Sequence, residues 1–199
     1  MIRLAAVLAF AVVLPALPAN ARLLDDQHEH DGFFLRFHLG GGSMSARWDG
    51  PQDFSYSGPG GTFAFSLGGA FAPNLILFGE ITSDAVSNPR FESEIRSDST
   101  RDTVLRVLGF GPGLTYYFMP VNLYLSGSVL LMRATVDEPF QVEESDQGMG
   151  LKLAVGKEWW VSRDWGLGVA AFGTFGRIPH AKATIGASNV GIAFTATYN

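Results

Sequence analysis

The sequence predicts an all-β chain, eight amphipathic strands closed into an eight-stranded antiparallel up-and-down barrel. Three observations predict it. Beyond residue 32 the chain alternates apolar with small or polar residues in eight successive runs, and a period of two is the signature of a strand. The connectors between those runs alternate strictly between long and short. Aromatic residues gather at the strand ends beside the short connectors. The composition agrees: 24 glycines and 13% aromatic against 17% charged residues suit a β protein better than a helical one.

Residues 1–21 are set apart as a secretory signal peptide. Arg3 supplies the positive start, residues 4–14 are unbroken apolar chain, and Ala19-Asn20-Ala21 is the small-x-small pattern that signal peptidase reads. The apolar run falls short of the ~20 residues of a spanning helix. Removing it leaves 13 of the 14 basic residues against 19 acidic ones, a net charge of −6. That balance argues against nucleic acid as a partner. The chain has no cysteine, which excludes disulfides and thiolate metal sites. Residues 22–32 read as a polar, mobile lead-in, and 33–199 as the barrel domain.

Taken in order, the strands are expected at 33–42, 61–71, 75–83, 104–118, 122–135, 148–160, 165–175 and 184–198. Each can supply roughly the 9–11 residues that a tilted strand needs to cross a bilayer. The second, fourth and sixth connectors are short: Ala72-Pro73-Asn74, Met119-Pro120-Val121 and 161–164. Their Pro, Asn and Asp residues are turn formers through a fixed φ or a self-bonding side chain. The other connectors, 43–60, 84–103, 136–147 and 176–183, are longer and polar. Within the fourth strand, Gly111-Pro112-Gly113 predicts a β-bulge, because proline has no N–H for the ladder.

A soluble sandwich has no reason to alternate its loops, whereas a transmembrane barrel does so with short turns inside and long loops outside. A barrel of that kind also carries an interfacial aromatic girdle. Phe33, Phe71, Tyr116, Phe118, Trp159, Trp160, Trp165 and Tyr198 supply one at the short-turn rim. The last run alternates Val190, Ile192, Phe194, Ala196 and Tyr198 with Gly191, Ala193, Thr195 and Thr197. It is expected to pair with 33–42 and close the cylinder.

The chain beyond the signal resembles the small eight-stranded outer-membrane barrels of Gram-negative bacteria, the OmpA/OmpX/OmpW-like group. Asn189, Gly191 and Phe194 match the C-terminal pattern read by the barrel-insertion machinery in that group. Tyr198 stands two positions late, and Asn199 takes the place of a final aromatic. The resemblance implies location in the cell outer membrane and contact with its lipids and lipopolysaccharide. It also implies assembly-machinery contact during insertion and a porin-like, monomeric protein with no cofactor. The role it implies is structural, or a narrow passage for small or hydrophobic solutes. The alternatives are a surface-binding, adhesin-type barrel acting through loops 43–60 and 84–103, a soluble lipocalin-like binder, and a lipid A-modifying enzyme.

If the more apolar face of each strand meets lipid, Arg36, His38, Glu80, Lys152 and Glu158 point inward. A basic residue facing lipid at mid-bilayer would cost about 2–4 kcal/mol. The expected result is a lumenal ion-pair network, with Arg36, Glu80 and Glu158 lower and Lys152 higher, inside a lumen filled by polar and charged groups. It acts as a plug rather than a gate. Lys157 is expected to face outward near the rim. His28-Glu29-His30-Asp31 and the acidic stretch Asp137, Glu138, Glu143, Glu144 and Asp146 read as solvated segments rather than metal sites. No serine is tied by a motif to His180, the histidine expected at the outer rim, so no catalytic group is assigned.

Overall fold

The computed structural model describes residues 30–51, 53–94 and 97–199. The expected signal peptide and most of the expected lead-in lie outside the described residues. Among the described residues eleven strands follow one another: β1 (Phe33–Asp49), β2 (Phe54–Ala72), β3 (Leu75–Ser87), β4 (Arg90–Ser93), β5 (Ser97–Ser99), β6 (Val104–Phe118), β7 (Leu123–Glu138), β8 (Gln141–Glu144), β9 (Gly148–Trp160), β10 (Trp165–His180) and β11 (Ala183–Tyr198). Eight of them form the wall in the order β1-β11-β10-β9-β7-β6-β3-β2, and β2 pairs with β1 to close it. Every pairing is antiparallel. At the seam β11 lies along β1 from Leu35↔Tyr198 to Asp49↔Thr184. The small strands β4, β5 and β8 fold back on β2 and β7 beyond the wall.

The outward faces make a continuous apolar belt. Leu39, Ile81, Phe110, Leu125, Leu153, Leu167, Ile192 and Phe194 are all exposed there. On three strands the belt ends at the same offset. Arg106, Arg133 and Arg177 each stand two residues beyond an exposed outward apolar residue, Leu108, Leu131 and Phe175 respectively. From the turn rim to those limits the wall measures about 9–11 residues per strand, the span of a bilayer.

Nearly half of the residues expected in outside loops are wall. Residues 43–49 and 54–60 continue β1 and β2, 84–87 continue β3, 136–138 continue β7, and 176–180 continue β10. Beyond the expected strand ends the outward face carries serine, as at Ser43, Ser45, Ser55 and Ser57. The inward face, however, goes on alternating with Met44, Ala46, Trp48 and Tyr56, all buried. Amphipathicity inverts along the wall. Within the belt the outside is apolar, and above it the inside is apolar, because the outer solvent changes from lipid to water.

The expected bulge at Gly111-Pro112-Gly113 is absent. β6 keeps one register with β3 from Leu75↔Tyr116 to Ser87↔Val104, and only its ladder to β7 lapses at Gly111 and Pro112. The missing N–H of Pro112 removes a bond without inserting a residue. The register shift in this part of the sheet lies instead between Ala70 and Ala72, where β2 meets β3.

Candidate functional site

The interior is stacked in layers, beginning at the short-turn rim with His30. The mobile lead-in expected over 22–32 is corrected at this residue: the imidazole is fully buried and stacks on Tyr117 with ring centroids 3.4 Å apart. Two turn asparagines in left-handed conformation hold it. The His30 N–H donates to the Asn74 side-chain oxygen at 3.3 Å, and His30 Nε2 meets Asn122 Oδ1 at 3.0 Å. Burial away from water pushes the His30 pKa down, against upward pulls from Asn199, Asn122 and Glu158. A histidine held neutral stabilises the fold above its unfolded pKa of about 6.5 and loses that contribution as pH falls further. The urea midpoint of wild type relative to His30→Phe is expected to drop between about pH 7 and pH 5; a constant difference would refute it.

The five inward residues predicted from the sequence are buried, with Arg36 2%, His38 3%, Glu80 5%, Lys152 3% and Glu158 1% exposed. Four of them form two ion pairs rather than one network, and His38 stands outside both. Arg36 Nε lies 3.5 Å from Glu158 Oε1. Glu80 pairs with Lys152 at 3.3 Å instead of joining Arg36 and Glu158. Both pairs reach across the lumen. The Arg36 guanidinium donates to Thr115 and Tyr117 on β6 and to Thr197 on β11, and sits 4.1 Å above the ring of Tyr124 on β7. β7 stands diametrically opposite β1 in the wall. Glu158 accepts from Tyr117 at 3.0 Å, Thr195 at 3.3 Å and Thr197 at 2.6 Å, and His38 meets the Tyr124 hydroxyl at 3.3 Å. Ser66 donates to Glu80 at 3.1 Å. The bulk of Tyr124 fits because its partner on β9 is Gly156, where a Cβ would strike the phenol ring.

Sequence reasoning missed a third buried carboxylate. Asp84 is 2% exposed, accepts from Asn189 Nδ2 at 2.8 Å, and borders a void of about 10 Å³ with Met132 and Thr174. It stands in a stretch expected as an outside loop, although its parity with Glu80 on β3 places it inward. Asn189, taken only for part of an insertion signal, therefore also supports a buried charge. Of that signal's other members, Gly191 faces inward at the seam, while Phe194 and Tyr198 face out.

Above Asp84 the expected filling of polar and charged groups gives way to an apolar core. Met44, Ala46, Trp48, Tyr56, Val86, Leu105, Leu130, Met132, Val136, Ile178 and Ile185 form one buried cluster. Its top is an aromatic floor at the long-hairpin mouth. Trp48 stacks on Phe54 at 4.9 Å and meets Tyr56 edge-on at 5.5 Å. Beside these rings Glu138 accepts from the Tyr56 hydroxyl at 3.3 Å, and His180 lies 4.0 Å from Glu143. Glu144 instead pairs outward with Arg133 at 3.6 Å. Trp48, Phe54, Tyr56, Val136, Glu138, Gln141 and Glu143 enclose a hollow of about 210 Å³.

Seven of the eight residues expected in the turn-rim girdle lie on the outward face at that rim. Phe33 and Trp165 flank Tyr198 at 6.1 and 5.4 Å, Tyr116 packs edge-on against Phe118, and Phe71 and Trp159 are exposed. Trp160 is the exception: alternation turns it inward, where its ring lies 5.1 Å from His30. Lys157 points outward as expected, bonding the Val121 carbonyl and lying 5.3 Å from the Trp159 ring.

No family model matches the chain, and no curated protein sequence matches it. Solved structures do. The crystal structure of Neisserial surface protein A aligns with a TM-score of 0.53 at 18% identity, over 82% of this chain and 96% of that one. The solid-state NMR structure of the outer membrane protein AlkL in lipid bilayers gives 0.49 at 13% identity, over 85% and 90%. The outer membrane protein OprG from Pseudomonas aeruginosa gives 0.39 at 12%, over 85% and 98%. The likeness is one of fold, that of the small eight-stranded outer-membrane barrels.

Proposed function

We propose that this protein is a monomeric integral outer-membrane barrel, sealed across the bilayer, whose work is done at its extracellular mouth. One observation carries the reading: side chains from opposite walls meet across the lumen, with Arg36 of β1 against Tyr124 of β7. An eight-stranded barrel has little interior beyond what side chains fill. Here two ion pairs, a tyrosine pair and an apolar core occupy it in succession. The seal takes precedence over a passage for solutes. Placement in the outer membrane draws support from the apolar belt and the turn-rim girdle. The arginines at the belt's upper edge suit the anionic headgroups of outer-leaflet lipid, lipopolysaccharide included. Insertion would proceed through the barrel-assembly machinery, with the seam strand β11 presenting Phe194 and Tyr198.

The reading is non-catalytic. His180 is engaged with Glu143, and no serine bonds it among the described residues. Planar-bilayer recording tests the seal. Wild-type barrels inserted at neutral pH are expected to give no stepwise conductance, and liposomes carrying them should not swell in small sugars. Regular single-channel steps from wild type would overturn it.

A further inference from the structure

We infer that the mouth binds a small organic cation of the quaternary ammonium class. The inference deepens the reading of the mouth as the working end, on which it rests only for the side of the membrane the mouth faces. The floor of the 210 Å³ hollow is aromatic, built from Trp48, Phe54 and Tyr56, and its side carries the carboxylates of Glu138 and Glu143. An aromatic face attracts a cation through its quadrupole, tryptophan most strongly, and the attraction grows when the cation is desolvated. A quaternary ammonium carries its charge with no N–H to satisfy, so rings whose one hydroxyl, that of Tyr56, is already turned to Glu138 suit it better than they suit a strongly hydrated ion. The two carboxylates supply the opposite charge at the side. Neither is paired with a lysine or arginine among the described residues; Glu143 accepts from the Gln141 side-chain amide and lies 4.0 Å from His180.

The rings are also held for the purpose. Trp48 and Tyr56 are 5% and 8% exposed, seated on the apolar core below, so the floor exists before any ligand arrives. The Tyr56 hydroxyl fixes Glu138 over it. The hollow is smaller than the ~300–1,000 Å³ of pockets for drug-sized molecules, which fits a headgroup rather than a whole large ligand. A second hollow of about 200 Å³ shares Tyr56 and Glu138 and adds Phe91 and Asp98, leaving room for a substituent on the cation.

Titration calorimetry on the folded full chain in zwitterion-free detergent tests this, with choline chloride as the probe. Its neutral isostere 3,3-dimethylbutan-1-ol and sodium chloride are the controls. Saturable choline binding is expected, with no saturable signal from either control. Glu138→Gln combined with Glu143→Gln changes only exposed side chains and should weaken choline tenfold or more; Trp48→Leu should do the same. Absence of saturable choline binding would overturn the proposal. Equal binding of the isostere, or unchanged affinity in the double glutamine variant, would reduce the hollow to a greasy cleft and overturn it as well. Conductance measurements are independent of this result, so failure of the seal and failure of the cation site are distinguishable.

Discussion

Replacing Arg36 by alanine is expected to destabilise the barrel by about 3–5 kcal/mol, the range for removing one partner of a buried ion pair. The cost comes mainly from what remains. Glu158 would keep its charge at 1% exposure with only hydroxyl donors from Tyr117, Thr195 and Thr197 around it. The loss of the guanidinium also uncovers the faces of Phe34 and Tyr124, against which it packs at 4.9 and 4.1 Å. Removing both charges with Arg36→Met and Glu158→Gln should recover most of the stability, because the expense of burying an ion disappears with the ion. Urea unfolding in detergent, followed by tryptophan fluorescence, measures both. Wild-type stability in Arg36→Ala would mean that water reaches Glu158, and the sealed lumen would fall with that result.

The second large effect is expected at the seam. Gly42 and Gly191 are direct partners on β1 and β11. Both face inward, and a Cβ on Gly191 would fall against the Gly41 carbonyl and the Gly42 backbone. The colliding atoms are main chain and cannot rotate away. Gly191→Val should therefore exceed the usual 1–3 kcal/mol of an overpacked core and impair closure itself. Folding into detergent, read as the shift in gel mobility between unheated and boiled samples, should fall sharply. Ile192→Val, on the lipid face of the same strand, should fold normally. Efficient folding of Gly191→Val would show that the seam can open without loss.

What the sequence made legible follows from which solvent each face meets. In the belt the contrast is strong, Leu151, Leu153 and Val155 against Lys152, Ala154 and Glu158. Strand identity, facing, the seam partner, four lumenal charges and His38 are all legible there. Above the belt both faces soften, serine outside against methionine and alanine inside, and a rule tuned to an apolar exterior reads the wall as loop. Asp84 is lost by that route, since β3 runs four residues past the expected end at Ser83. Trp160 was misplaced for a different reason: composition at a rim was allowed to outweigh alternation with Trp159. His30 could not be foreseen, because its partners Tyr117, Asn74 and Asn122 are brought beneath it only when the barrel closes.

The continuation of the wall beyond the belt also sets an electrostatic distance. From Gly41 to Trp48 on β1, and from Leu131 to Glu138 on β7, seven residues at ~3.3 Å each, tilted near 40°, raise the mouth by roughly 18 Å. The Debye length at physiological ionic strength is about 8 Å. The carboxylates at the mouth therefore stand about two screening lengths from the phosphates of the leaflet below. Their potential is their own, and a cation arriving there answers to its concentration in the surrounding fluid rather than to the charge of the membrane surface.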